Sequence, residues 1–338
     1  MGKGQVSSNP LVGCVIVKNN EVIAEAFHQK YGGPHAEVNA IQKLPANFNF
    51  SDCTLYVNLE PCSHHGKTPP CSDLIISKKF KEVVVGTIDP NPLVAGRGLV
   101  QLSKAGIKVT SGILEDKCRE INKRFFTFHE KKRPYIILKW AQTSNGHMSR
   151  WPLSDKREDN WITCSESNLL VHEWRAEEEA IMVGTNTVIY DNPELTVRWV
   201  KGKNPIRVII DKNLKLSSSL HVFNDAAPTL IFNQSKTKID NNLHYFKINP
   251  INDFTDEIFR ELYKLSISSV LVEGGAKLLN SLIAKNYWDE ARIFINPSLE
   301  FRNGLKAPFL PISEKPTKSG TDLLYIIKNN NASGIIKR

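Results

Sequence analysis

The sequence predicts an α/β protein built as two domains, and three observations predict it. Short β-branched runs alternate with helix-patterned stretches, the signature of layered α/β units with a mostly parallel sheet. A charged stretch ending in proline, HEKKRP at 129–134, interrupts that alternation and reads as a linker. The chain has 338 residues, more than one hydrophobic core ordinarily serves. The expected division is therefore 1–129 and 130–338.

LVGCVIV (11–17) and EVIAEAF (21–27) read as strands joined at Asn19-Asn20, since asparagine tolerates the left-handed backbone of a tight hairpin. Gly32-Gly33-Pro34 breaks the pattern, and HAEVNAIQKL (35–44) then has helical apolar spacing. Strands are expected at 54–59, 82–87 and 107–113, helices at 71–80, 98–106 and 115–129. Beyond the linker the strands expected are 135–141, 180–185, 205–211, 229–233, 243–248, 269–275, 290–297 and 322–328. Helices are expected at 167–179, 254–265 and 276–285.

Hydrophobic residues at 41% and charged residues at 23% exclude a disordered chain, and no apolar run is long enough to span a bilayer. The start, MGKGQVSSNP, lacks a secretory pattern, so a cytoplasmic location is expected. The formal net charge of +9 fits a nucleic-acid binder or an enzyme of phosphorylated substrates. The basic residues are scattered, however, and a solvated basic surface explains them as well. Six cysteines in a chain this long do not form a disulfide scaffold; clustered with histidine they point to metal.

That cluster is PHAEVNA (34–40) answered by EPCSHHGKTPPC (60–71). It offers one imidazole, His35, two thiols, Cys62 and Cys71, and a carboxylate, Glu37. Three such ligands suit a zinc ion with its fourth position open for water. A carboxylate two residues from the histidine is the proton shuttle that hydrolytic deamination needs. A closed structural site with His64 or His65 as fourth ligand is the alternative. Cytidine-type deaminases space their two cysteines by two residues; here eight intervene.

In the second half, SVLVEGGAKLLNSLIAK (269–285) carries a strand through Glu-Gly-Gly into a helix, where glycines let a phosphate approach backbone N–H groups. By itself the turn is weak evidence, since tight packing explains such turns more often. Lys212, just past a strand, is a candidate for a cofactor 2′-phosphate.

HAEVNA and EPCSHHGKTPPC, with NPLVGCVIV (9–17) before them and DPNPLVAGRG (89–98) after, closely resemble the deaminase half of the bifunctional deaminase/reductases of riboflavin biosynthesis. The second half resembles that family's reductase in ILKWA (137–141), WIT (161–163), Trp174-Arg175, VGTNTVIYDNPELTVR (183–198), RVIID (207–211) and VEGGAKLLNS (272–281). The resemblance implies a cytidine-deaminase-like three-layer α/β/α domain followed by a dihydrofolate-reductase-like α/β domain. It implies one zinc ion on His35, Cys62 and Cys71, with Glu37 as proton donor. Asn9 and residues 63–70 would line the pyrimidine pocket.

In the reductase it implies NADPH contacts from Ala141, Trp161, Thr187, Asp191 and the turn formed by Gly275, Ala276, Lys277, Leu278, Leu279, Asn280 and Ser281. Arg175, Leu195, Arg198 and Glu273 would hold the substrate, with Lys139 by the hydride path. The implied substrate is a diamino-pyrimidinone ribosylamino 5′-phosphate, deaminated and then reduced from ribosyl to ribityl, by a homo-oligomer assembled through its reductase domains. Physically, two arginines suit the 5-phosphate. Asn145 stands where the family has aspartate, so an altered cofactor affinity is expected, and Asp159 where it tends to put a serine facing the substrate. Only eight residues precede Asn9, where the family carries an amphipathic helix: either the true start lies upstream or the helix is missing, and a missing helix would leave one sheet face partly uncovered.

Overall fold

The computed structural model describes residues 2, 4–6, 8–64, 69–92, 94–154, 156–249, 251, 253–332 and 334, with 157 and 158 by backbone alone. The chain divides into two compact units, 1–130 and 131–338.

The first unit runs β1 (Gly13–Lys18), β2 (Glu21–Phe27), α1 (Ala36–Ile41), β3 (Cys53–Val57), α2 (Cys71–Ser77), β4 (Glu82–Val85), α3 (Arg97–Lys104), β5 (Lys108–Ser111), α4 (Glu115–Ile121) and α5 (Lys123–Lys131). Its sheet has the order β2–β1–β3–β4–β5. Asn19 and Asn20 adopt φ of 51° and 64°, the hairpin conformation their residue type allows. The hairpin makes β1 antiparallel to β2, and β1 is antiparallel to β3 as well; only β3, β4 and β5 run parallel. The expectation of a mostly parallel sheet is thus corrected for this unit. Ile16, Leu55, Ile75, Val83 and Leu102 are fully buried in its core.

The expected single helix at 115–129 is two. Asn122 breaks it, buried at 3% exposure, with Oδ1 accepting from Leu11 N–H at 2.7 Å and Nδ2 donating to Leu11 carbonyl at 3.1 Å. Asparagine competes for backbone groups in this way, here with a strand entry over a hundred residues away.

The second unit runs β6 (Tyr135–Thr143), β7 (His147–Arg150), α6 (Ser165–Glu177), β8 (Ala180–Gly184), α7 (Thr185–Asp191), β9 (Ile206–Ile210), β10 (Thr229–Asn233), β11 (Lys238–Asp240) and β12 (Leu243–Lys247). It continues with α8 (Phe254–Lys264), β13 (Ser269–Val272), α9 (Ala276–Ala284), β14 (Glu290–Asn296), β15 (Gly304–Lys306), β16 (Thr317–Ser319) and β17 (Asp322–Lys328). The main sheet has the order β11–β12–β10–β9–β8–β13–β6–β14–β17–β16, parallel from β12 to β14 and antiparallel at its edges. Strands buried on both faces explain runs such as AIMV and SVLV, buried throughout. Asp253 caps α8, accepting from Thr255 and Asp256 N–H at 2.9 and 3.1 Å.

The division between the units, at 130/131, falls inside the stretch 129–134, but that stretch is not an extended connection. Residues through Lys131 are helical, and Arg133 is fully buried, donating to both Asp289 oxygens at 2.5 and 2.9 Å. A charge that deep is tolerated because its partner is equally enclosed. Helix α7 was not foreseen in the sequence; it stops at Asn192, whose φ of 38° precedes Pro193.

Candidate functional site

In the first unit, β2 and α1 deliver His35 as the residue capping α1, and Cys71 opens α2. Cys62 sits between them: its sulfur is 3.5 Å from His35 Nδ1 and accepts from Cys71 N–H at 3.3 Å, while His35 Nδ1 is 3.2 Å from the Cys71 sulfur. The three ligand atoms lie within 4.8 Å of one another. Glu37, on the first turn of α1, is 3% exposed, and its Oε2 has no hydrogen-bond partner among the described residues. Burial raises its proton affinity.

The Cys71 thiol donates its proton toward the Cys62 sulfur. The Cys62 thiol is pulled down to about 4, first by the hydrogen bond from Cys71 and then by His35, and Cys71 moves upward for the same reason. A divalent cation in place of that proton satisfies both sulfurs, so this donor set, with an orphaned carboxylate oxygen beside it, fits zinc. His64 does not join the cluster, and His65 lies outside the described residues, as do 66–68 of the expected pyrimidine-lining segment.

Two supports of this site escaped sequence reasoning. His28 is buried, with Nδ1 donating to the Pro34 carbonyl at 3.0 Å and Nε2 receiving the Asn9 amide at 3.1 Å. Its ring stands edge-on to His35 with centroids 5.6 Å apart. Asn39 also donates to the Pro34 carbonyl, at 3.3 Å, so the residue before the metal-binding histidine is clamped twice. The second support is Glu60, buried next to Pro61-Cys62. Its carboxylate accepts from the N–H groups of Asp89, Gly96, Gly98 and Leu99 at 3.2, 2.8, 2.9 and 3.4 Å. The DPNPLVAGRG loop is thereby tied to the cysteine that follows Glu60. Gly98 is required there, because a Cβ would stand 2.4 Å from the Pro61 carbonyl. Asp89 beside it is raised to about 6, by burial and then by Glu60 and Cys62.

In the second unit, Lys139, Ala141, Trp161, Arg175 and Arg198 line one cavity of about 280 Å³. Glu273, at the end of β13, takes a two-pronged bond from Arg175 at 2.8 and 2.8 Å and lies 3.7 Å from Lys139 Nζ. Burial alone would raise the Glu273 carboxyl, but Arg175 and Lys139 overturn that and hold it at about 2. Burial lowers the proton affinity of Lys139, and Arg175 adds to the effect against Glu273. Arg175 thus spends its fork on the protein, with Nη1 on the Thr196 carbonyl at 3.3 Å, rather than on an open phosphate clamp.

Thr187, Asp191, Lys212 and the 275–281 turn do not line this cavity. The turn nevertheless forms a second feature. Gly275 N–H donates to Thr187 Oγ1 at 2.9 Å, and open space surrounds Gly184 at the end of the neighbouring β8. Gly275 N–H is taken by that hydroxyl, and the space over Gly184, at the carboxyl end of β8 beside β13, is what leaves room for part of a dinucleotide. Lys212 is exposed with its ammonium 4.6 Å over the Phe254 ring, and Asp191 is exposed at the end of α7. Leu195 is buried among Ile181, Val188 and Ile209 at φ 55°, and Asp159 accepts from Ser154 Oγ at 2.8 Å. Asn145 does not face the cavity either; it braces a turn, bonding Thr143, His147 and the Phe301 carbonyl.

A His/Cys/Cys metal centre beside a buried carboxylate, followed in one chain by a basic cavity in a parallel α/β sheet, defines a zinc-dependent deaminase joined to a reductase. Residues 1–87 match the cytidine and deoxycytidylate deaminase zinc-binding region, and 134–299 the RibD C-terminal domain. The chain is 41% identical over 302 residues to the riboflavin biosynthesis protein RibD of Aquifex aeolicus, covering 88% of this chain and 83% of that protein. It is 34% identical to the RibD of Escherichia coli over 88% of this chain and 84% of that one. The crystal structure of the Thermotoga maritima diaminohydroxyphosphoribosylaminopyrimidine deaminase/5-amino-6-(5-phosphoribosylamino)uracil reductase superposes with a TM-score of 0.85 at 36% identity, covering 97% and 94% of the two chains. The chain belongs to the RibD family of bifunctional deaminase/reductases of riboflavin biosynthesis. Zinc for the first activity and NADPH for the second follow with the family. No described helix is long and apolar enough to cross a membrane.

Proposed function

We propose that this chain carries both activities in the Thermotoga protein's name, deaminase and reductase, and that here they are hydrolytic loss of the 2-amino group of the phosphoribosylaminopyrimidine followed by reduction of the ribosyl side chain to ribityl. The observation that carries the first is the meeting of His35, Cys62 and Cys71 beside the unpartnered Oε2 of Glu37. Bound at those three residues, zinc supplies a water that ionises near neutral pH. Glu37 Oε2 is the group that would carry a proton to the departing nitrogen, a task its burial-raised proton affinity suits. Asn9 and His28 hold the Pro34–His35 backbone from behind.

In the second unit, the cavity and the 275–281 turn are the supports for substrate and cofactor respectively. NADPH supplies the hydride. Lys139 Nζ provides the balancing proton for the sugar oxygen released from C1′, with Glu273 holding it in place and Arg175 fixing Glu273. Arg198, on the cavity wall and paired with Glu194 at 3.0 Å, is the cation that would meet the 5-phosphate.

Glu37→Gln tests the first role. Ammonia release should fall about 10²- to 10⁴-fold while zinc content is unchanged. Loss of zinc from that variant would make Glu37 structural and overturn the mechanism. Oxidation of NADPH by wild-type chain given the deaminated substrate tests the second unit.

A further inference from the structure

His172 lines the reductase cavity, yet neither the motifs nor the mechanism above use it. It lies on α6, one turn before Arg175 and on the same face. It is 4% exposed and stacked on Trp199, ring centroids 5.0 Å apart and planes 27° from parallel. Its Nδ1 accepts from the Arg198 backbone N–H at 3.1 Å. That bond assigns the single hydrogen of the neutral ring to Nε2. Burial, and then the charges of Arg175 and Arg198, push the ring's pKa down to about 4, so it stays neutral where the enzyme works.

Nε2–H is therefore a fixed donor without a partner among the described residues. Nε2 is not one of the fully enclosed unsatisfied polar atoms, so it opens on the cavity, where water or a ligand can accept from it. The neighbouring cations offer no acceptor: Lys139 and the guanidinium of Arg175 are donors already engaged by Glu273. In the complex, a ligand atom that displaces that water takes over as the acceptor.

Resting on the reading of the second unit as the reductase, we propose that His172 is a substrate-positioning residue that donates Nε2–H to a neutral acceptor oxygen of the substrate, with Trp199 holding the ring in register. That oxygen is a pyrimidine carbonyl or a sugar hydroxyl, both neutral acceptors. Lysine or arginine at this place would bind any anion. A neutral donor discriminates, because a substrate analogue without the oxygen leaves it buried and unpaired.

Three full-chain variants separate this role from a structural one. His172→Asn keeps an acceptor near the Nδ1 position for Arg198 N–H and removes the Nε2 donor. His172→Gln places an amide donor near the Nε2 position. His172→Phe keeps the stacked ring alone. NADPH binding and ammonia release should match wild type in all three.

KM for the deaminated substrate should rise about 5- to 100-fold in His172→Asn and His172→Phe, kcat changing less, with His172→Gln recovering part of the loss. Uracil and ribose 5-phosphate as competitive inhibitors identify the oxygen: the variants weaken one and not the other. A wild-type KM in His172→Asn would overturn the proposal, since only the Arg198 contact would then matter. Equal inhibition of wild type and His172→Asn by both probes would overturn it too. Failure of wild type itself to oxidise NADPH would instead refute the reductase reading.

Discussion

Replacing Glu273 by glutamine probes the charge cluster on which the reductase cavity rests. The carboxylate is nearly enclosed, its side chain 10% exposed, and is shared between the Arg175 fork and the Lys139 ammonium. Glutamine keeps the shape and removes the charge, leaving two cations facing each other in a poorly solvated place. Removing one partner of a buried pair costs about 3–5 kcal/mol. The fall of the carboxyl from its ordinary 4.5 to about 2 leads to a similar size, about 3 kcal/mol at about 1.4 kcal/mol per tenfold change in proton affinity.

The sign follows from that direction. A carboxyl held low stabilises the fold fully above about pH 4.5, and its contribution disappears as the pH falls through about 2. All six tryptophans lie beyond residue 131, so tryptophan fluorescence of the intact chain reports the second unit alone. Urea unfolding at neutral pH should place Glu273→Gln about 3 kcal/mol below wild type, and the gap should narrow as the pH drops from about 4.5 toward about 2. Coincident unfolding curves at neutral pH would refute the reasoning, and so would a gap that does not respond to acid.

Other outcomes follow from the first unit. Gly98→Ala puts a methyl 2.4 Å from the Pro61 carbonyl and displaces the Glu60 cradle. Ammonia release should drop about 10- to 100-fold, with NADPH oxidation on supplied deaminated substrate unchanged. Asn122→Ala strips Leu11 N–H of its acceptor, while the Leu11 carbonyl keeps the Asn58 amide at 2.8 Å. That should destabilise the unit by about 1–3 kcal/mol, seen as earlier release of zinc to an indicator on heating. An unchanged release temperature would mean the helix break has another cause.

The metal centre was legible because its chemistry is compressed into two short segments, and a histidine, a carboxylate and two thiols are seldom gathered for any other purpose. The strands were legible where apolar residues run together, as at 229–233, buried throughout, and 322–328, only partly buried; the observed bounds of both coincide with the expected ones. What could not be read was contact across long separations. His28, Glu60 and Asn122 look like ordinary polar residues until the chain returns to them. His172 gave one signal, a histidine three residues before an arginine on a helix, too common to act on. Arg133 misled in the opposite sense. Charge in a stretch ending at proline reads as solvent exposure, and only the distant Asp289 makes its burial tolerable.

Asp289 does more than neutralise Arg133. The same carboxylate also takes the Ile136 backbone N–H at 2.8 Å and the Lys131 ammonium at 3.1 Å. One side chain thus fastens the opening of β6 to the opening of β14, strands paired in parallel across the middle of the sheet. The reductase half therefore begins at Lys131, ahead of its first strand. A protease or an engineer cutting just before Tyr135 would strand an anion in the interior. A cut before Lys131 would leave the knot tied.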